Sequence, residues 1–222
     1  RWAMQVGLRA EQAFTRSQVL GSSMDYTNDY FKLFPNAYIN YRPKTGHDLR
    51  LSYSRRINRP TTEQLNPFTD YTNPKRRRVG NPFLLPELID AFELSWGAKY
   101  KWGSLSSTGY FRYMTNSHSR YFEPISPSSD TLLVTFVNLL SGQSYGLEMI
   151  GEMKPAKWME CMLSLNFFRT VMDASNLEAD LTVDNLGMTG QMNSTFFIGK
   201  RTSLQVSANY RSPRYGPQGV FA

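Results

Sequence analysis

The 222-residue sequence holds one cysteine, Cys161, and two histidines, His47 and His118. A single thiol excludes an internal disulfide framework, and this inventory of soft ligands is too small for a Cys/His zinc site. No apolar run approaches the ~18 residues that a spanning helix needs, which removes helical membrane proteins. No stretch keeps a helical apolar period through three turns, so the chain is not built from amphipathic helices. It starts at Arg1 with neither an initiator methionine nor a signal peptide, and is read as a piece of something longer. Disorder is excluded too, because aromatic residues make up 14% of the chain. Charge is modest: 25 Lys+Arg against 18 Asp+Glu, a net +7, too dispersed to argue for nucleic acid.

What is present is a period of two. Trp2, Met4, Val6, Leu8 and Ala10 alternate with Ala3, Gln5, Gly7 and Arg9. Phe92, Leu94, Trp96, Ala98, Tyr100 and Trp102 alternate more cleanly with Glu93, Ser95, Gly97, Lys99 and Lys101. The same pattern recurs at Leu49–Ser54 and Leu204–Arg211, and more weakly at Phe34–Tyr41, Leu105–Asn116, Met159–Arg169 and Gln191–Ile198. Val137 to Met149 keeps one parity across Gly142 and reads as one long strand. Successive side chains on a strand point to opposite faces, so each segment has an apolar and a polar face. The expected fold is all-β and antiparallel, with about nine strands.

The connections alternate in length. Thr15–Leu33, Ile57–Asp90, Ser117–Asp130 and Val171–Gly187 read as long, whereas Arg42–Gly46, Gly103–Ser104, Lys154–Lys157 and Gly199–Thr202 read as short. A large antiparallel sandwich with one solvated face also alternates along its strands. Strict sorting of loops by length is instead the habit of up-and-down transmembrane β-barrels. Ala91–Trp102 and Trp2–Ala13 reach the ~9–11 residues of a tilted spanning strand. Trp2, Trp102 and Trp158 all fall on the short-turn side, where an aromatic girdle sits. Arg9, Glu11, Arg50, Glu93, Lys99, Arg112 and Glu148 fall on the polar face, which suits a wet lumen and would be costly in a dry core.

Several motifs have bland explanations. Lys75-Arg76-Arg77-Arg78 could meet nucleic-acid phosphates, but in a long connection it reads as a solvated extracellular loop facing lipopolysaccharide phosphates or an acidic ligand. Gly199-Lys200-Arg201-Thr202 lacks the earlier glycine of a phosphate-binding loop and precedes a strand, so it reads as a hairpin turn. His47 reads as a turn residue, Cys161 as an apolar wall residue and Ser126–Ser129 as loop. Asn193-Ser194-Thr195 is a glycosylation sequon only by spelling, since it lies within a strand. The proline-rich stretch Asn58–Pro86 carries Phe68, Tyr71 and Phe83 between its prolines. A stiffened aromatic loop suits ligand contact; the alternative is a loop folded onto its own barrel rim.

The chain resembles the TonB-dependent outer-membrane receptors of Gram-negative bacteria. The resemblance is carried by Phe34-Pro35-Asn36-Ala37-Tyr38-Ile39, by His47 to Pro60 with its Arg55-Arg56-Ile57-Asn58-Arg59-Pro60, and by Leu65-Asn66-Pro67-Phe68. Gly80-Asn81-Pro82-Phe83-Leu84, Phe92-Glu93-Leu94-Ser95-Trp96, Tyr145-Gly146-Leu147-Glu148, Asn209–Pro213 and Gly216–Gly219 add to it. It implies a wall of a larger barrel, of about 22 strands, with residues 1–222 one part of a single outer-membrane β-barrel domain. The plug, the segment that engages the TonB complex and the closing strands are expected in parts absent from this chain. The chain ends at Val220-Phe221-Ala222 with no long strand before it, so Phe221 is not expected to be the family's terminal aromatic. The resemblance further implies a receptor that binds a scarce nutrient outside the cell and imports it, with no enzymatic activity, no cofactor and no metal. Outer-membrane lipid and lipopolysaccharide are the expected surroundings, and the nutrient is unnamed. Lumen candidates for substrate or plug contact are Arg50, Arg56, Glu93, Arg112 and Glu148, and extracellular loop candidates are Phe68, Tyr71, Arg76, Arg77, Arg78 and Phe83. The alternatives are a β-rich surface adhesin or glycan-binding protein, or a passive porin.

Overall fold

A computed structural model of the chain describes residues 1–18, 25–43, 45–126, 130–178, 180–199 and 201–221. Among these residues nine long strands form an antiparallel meander. In chain order they are β1 (Trp2–Gln18), β2 (Asp25–Tyr41), β3 (His47–Asn58), β5 (Glu87–Tyr100), β6 (Gly103–Pro124), β7 (Leu132–Ala156), β8 (Met159–Asp173), β9 (Thr182–Ile198) and β10 (Thr202–Arg211). Between β3 and β5 lie a one-turn helix α1 (Thr62–Leu65) and a short strand β4 (Arg76–Arg78). After β10, β11 (Arg214–Gly216) and β12 (Gly219–Phe221) pair as a small separate hairpin. Each long strand neighbours the next long strand in the chain; β4 alone is displaced, pairing parallel with β7.

Register turns the period of two into two continuous faces. One row across the sheet reads Met4, Ile39, Leu51, Leu94, Gly109, Leu147, Phe167 and Met188. The adjacent row on the opposite face reads Gln5, Tyr38, Ser52, Glu93, Tyr110, Gly146, Phe168 and Gly187. Exposure runs against polarity. Met4 and Leu94 are 73% and 56% exposed on the apolar face, while Tyr110 and Asn40, on the polar face, are each 8% exposed. A water-soluble sheet would cover its apolar side; this one shelters its polar side and turns an apolar band outward. β6 alternates poorly because it supplies the small partners. Gly109 lies opposite Leu94, Ser107 opposite Trp96 and Gly103 opposite Tyr100.

The band has marked limits. At the short-turn end Trp2 stacks on Tyr41 (4.1 Å), Tyr100 on Trp102 (5.1 Å) and Trp158 on Phe196 (6.2 Å), with His47 against Trp96 and Tyr100. His47, expected as a turn residue, therefore opens β3 inside this aromatic belt. At the other end the outward face carries bidentate pairs instead. Arg55 holds Asp90 at 2.8 and 2.9 Å, and Arg169 holds Asp184 at 2.9 and 2.6 Å. The Tyr53 and Tyr145 hydroxyls join the two pairs. Cys161 lies on the apolar face opposite Met153, as its parity implied.

The expected long connections are shorter than the sequence suggested, because strand runs well beyond the band. Thr15–Gln18 and Asp25–Leu33 continue β1 and β2, Ser117–Pro124 continues β6, and Val171–Asp173 and Thr182–Gly187 belong to β8 and β9. Beyond the band the outward face no longer meets hydrocarbon, so alternation fades although the ladder of hydrogen bonds persists. Lys44 and Lys200, in two short turns, and residues 127–129 of the serine-rich stretch lie outside the described residues.

Candidate functional site

The polar face brings the lumen candidates onto one surface. Arg50 and Glu148 share a row with Ser95 and Thr108, Glu93 stands one row outward, Arg112 two and Arg56 three. Glu93 and Arg112 are in contact, Oε1 to Nη2 at 3.6 Å. The Arg112 guanidinium lies 4.3 Å over the Tyr110 ring, Arg50 lies 5.5 Å over Tyr38, and Arg9 lies 4.8 Å over Phe34. Tyr110 donates its hydroxyl to Asn166 Oδ1 (3.1 Å) and Tyr38 to Gln5 Oε1 (2.6 Å). Two glycines flatten this wall. A Cβ at Gly146 would fall 2.7 Å from the Tyr110 hydroxyl, and one at Gly187 would fall 2.5 Å from Phe168 Cζ. Both rings therefore lie across a neighbouring strand. The surface offers ring faces, guanidinium groups, a carboxylate and amides to a polar solute.

At the outer end the 59–86 connector is folded onto the rim. Its three Asn-Pro dipeptides build the same turn. The side-chain oxygens of Asn66, Asn73 and Asn81 accept from the backbone N–H two residues on, at Phe68 (3.1 Å), Lys75 (3.0 Å) and Phe83 (3.0 Å). The intervening proline has no N–H to compete and fixes φ. Thr61 and Gln64 cap α1 reciprocally. Gly80 closes the loop on α1: a Cβ there would sit 2.6 Å from both Asn66 N and Asn66 O, so only glycine fits.

The basic run is not the solvated loop expected of it. Arg76–Arg78 is β4, paired in parallel with Leu132–Val134 on the edge of β7 away from β6. The connector therefore crosses β6 and β7. Arg76 lies 5.4 Å over Phe122, Arg77 lies 5.2 Å over Tyr71, and Arg78 pairs with Glu63. Asp70 closes the other side through a backbone bridge to Arg78. Hydrogen bonds from the Thr72 hydroxyl and N–H hold the Asp70 carboxyl below its ordinary pKa. Phe68, Tyr71 and Phe83 remain exposed.

Asn138, on β7, is the hub of the return leg. Its Oδ1 accepts from Leu85 N (2.9 Å), and its Nδ2 donates to Leu85 O (2.9 Å) and Asn116 O (2.8 Å). Asn176 donates to its backbone carbonyl (2.8 Å), and His118 Nε2 meets Leu85 O at 2.8 Å. Beneath, Glu87 is buried and takes hydrogen bonds from Asn58 and Ser117, with Leu84, Val134, Phe136 and Leu139 as a local core. On the other side Arg59 reaches Tyr30 Oη (2.7 Å) and Glu11, and Phe83 meets Tyr26 edge-on at 5.4 Å. Tyr26 and Tyr30 have the parity of Tyr38 along β2, so the connector leans over the polar face.

The β11–β12 hairpin covers the same face from the opposite side. Ser212 extends the pairing of β10 with β9 to Met188, N to O at 2.9 Å and Oγ from N at 2.9 Å. The Gln218 amide then pairs with both backbone groups of Phe122 on β6, at 2.6 and 2.7 Å, as a strand residue would. Phe221 belongs to this three-residue strand and not to a spanning one. Sequence reasoning missed Asn138 and Gln218, because each acts across a span that local patterning does not encode. The repeated Asn-Pro-x spacing was the available local signal for the turns.

A family model described as "Outer membrane protein beta-barrel family" matches residues 1–221. The siderophore receptor PirA from Pseudomonas aeruginosa superposes with a TM-score of 0.62 at 11% identity, over 95% of this chain and 40% of that one. The Serratia marcescens hemophore receptor HasR, solved as a double mutant with its hemophore HasA and heme, superposes with a TM-score of 0.55 at 16% identity, over 97% and 40%. At these identities the likeness is one of fold, and the chain spans about 40% of the length of either receptor. A comparison with curated protein sequences gives no significant match.

Proposed function

Because the chain belongs to the outer membrane protein beta-barrel family, we propose that it is part of the wall of a TonB-dependent receptor, which binds a scarce nutrient outside the cell and imports it to the periplasm. One observation carries the proposal beyond a plain barrel: two connections at the same end fold back over the sheltered polar face. A passive pore works by leaving that mouth open to diffusing solutes. A receptor needs a shaped surface above a wet interior. The tight-turn end with its stacked aromatics is then periplasmic, and the end bearing the connector and hairpin is extracellular. Arg50, Arg56, Glu93, Arg112 and Glu148 line the lumen and contact the substrate or the plug. Phe68, Tyr71 and Phe83, with the β4 arginines, face the outside and the lipopolysaccharide layer. Against a surface adhesin stands the row Tyr53, Phe92, Phe111 and Tyr145, aromatics that recur along the apolar face of four successive strands.

The test is uptake by cells carrying the intact parent protein. Iron bound to siderophores and heme come first, since the two superposed receptors are described with such ligands. Uptake that stops when TonB is deleted supports import; uptake indifferent to TonB returns the protein to the porins. Removing Phe68–Val79 is expected to weaken uptake while leaving outer-membrane insertion normal.

A further inference from the structure

Three of the four tryptophans follow a cation: Arg1-Trp2, Lys101-Trp102 and Lys157-Trp158. All three dipeptides stand at the tight-turn end, with the indoles stacked in the aromatic belt on Tyr41, Tyr100 and Phe196. The two Lys-Trp turns are pinned alike by the strand next door. The Trp102 carbonyl accepts from Lys154 N on β7 at 2.7 Å, and the Trp158 carbonyl accepts from Phe197 N on β9 at 2.8 Å. The residues between strands at this end, 42–46, 101–102, 157–158 and 199–201, hold a cation in every turn and no aspartate or glutamate. Lys101, Lys157 and Arg201 are exposed and make no ion pair among the described residues. Arg42 and Lys154 are paired, with Asp48 and Glu160. The outer end is built the other way: Arg55 and Arg169 on the outward face are held by Asp90 and Asp184. One rim carries its own counter-charge, whereas the other leaves cations beside exposed indoles.

We propose that the tight-turn rim binds anionic phospholipid, with the lipid phosphodiester at Lys101 or Lys157, the glycerol beside the following indole and the acyl chains along the apolar band. An indole settles at the headgroup level of a bilayer. A cation one residue to its turn side therefore stands at the depth of the phosphates, where each Lys or Arg adds attraction to an anionic surface. A zwitterionic headgroup brings its own cation and gains less. The choice of phospholipid over lipopolysaccharide rests on the orientation proposed above, which puts this rim on the periplasmic side.

The test is tryptophan fluorescence of the intact parent protein reconstituted into phosphatidylcholine vesicles. The quenchers are phosphatidylglycerol and phosphatidylcholine, each brominated in its acyl chains. Subtracting the signal of a Trp102→Phe/Trp158→Phe variant isolates the two belt indoles. Their quenching should favour phosphatidylglycerol, and added salt should weaken the preference. Lys101→Gln/Lys157→Gln should reduce it about tenfold, while Lys101→Arg/Lys157→Arg should keep it. Both lysines are exposed turn residues, and heat-modifiable gel mobility checks that each variant still forms the barrel. Equal quenching by the two lipids, or a preference that survives the glutamine variant, overturns the inference. So does a preference abolished by millimolar inorganic phosphate at constant ionic strength, which would mark a site for the free anion. TonB-independent uptake with the lipid preference intact would sink the import proposal and leave the rim standing. TonB-dependent uptake without the preference would do the reverse.

Discussion

The two faces of the sheet share every backbone hydrogen bond and differ in almost everything else. Leu94 and Glu93 are neighbours in sequence, yet one points into a continuous apolar band and the other into a sheltered row of charge and aromatic rings. Within the apolar band the outward face is simple: large and small side chains alternate across strands, and no side-chain hydrogen-bond network is needed because its solvent is hydrocarbon. The inward face carries polar groups that pair with one another, as Tyr110–Asn166, Tyr38–Gln5 and Glu93–Arg112 do. Tolerance to substitution should follow the solvent and not the degree of exposure.

Leu94→Arg should break the contrast most severely, since a cation near the bilayer midplane costs about 2–4 kcal/mol. Urea titration of the refolded barrel, read by heat-modifiable mobility, should show that loss, while Ser52→Arg on the other face shows little. Equal effects would mean that both faces meet water. Gly146→Val comes next. Its Cβ would stand 2.3 Å from Phe167 O and 2.7 Å from the Tyr110 hydroxyl, an overpacking cost of about 1–3 kcal/mol. Gly97, with nothing within 4 Å of its Cβ position, is the matched control and should tolerate alanine. Asn138→Ala removes the side-chain hydrogen bonds to Leu85 and Asn116. At about 1–3 kcal/mol the loss should be local, seen as faster proteolysis between Arg59 and Pro86 with the global transition little changed. The smallest effect belongs to Arg112→Gln. Its pair with Glu93 is 3.6 Å long, with the arginine 42% exposed, so stability should move by less than about 1 kcal/mol. Any loss of ligand binding in that variant would then report the lumen and not the fold.

The spanning part of each strand was legible because hydrocarbon outside and water inside impose opposite demands on alternate residues. Phe92, Leu94, Trp96 and their polar neighbours show it at a glance, and the parity of Arg50, Glu93, Arg112 and Glu148 followed from it. Beyond the band that demand lapses. Thr15–Gln18 and Ser117–Pro124 read as loop because strands that have left the hydrocarbon keep no apolar period, though they keep their partners. Lys75–Arg78 read as a solvated loop because its partner lies far along the chain and nothing local announces it.

The parallel pairing of β4 with β7 also sets an order in time. Residues 76–78 are made before their partners at 132–134, with two full strands between them. Neighbouring hairpins such as β5–β6 can close as soon as both arms exist, whereas β4 must wait for β7 and then be laid across β6. Pairing over so wide a gap is slow, because loop entropy is lost before any contact repays it. The outer rim should therefore be the last part of this wall to set. Pulse-labelled hydrogen exchange should find protection at Val79, whose N–H donates to Val134, arriving after protection along Glu93–Ser106.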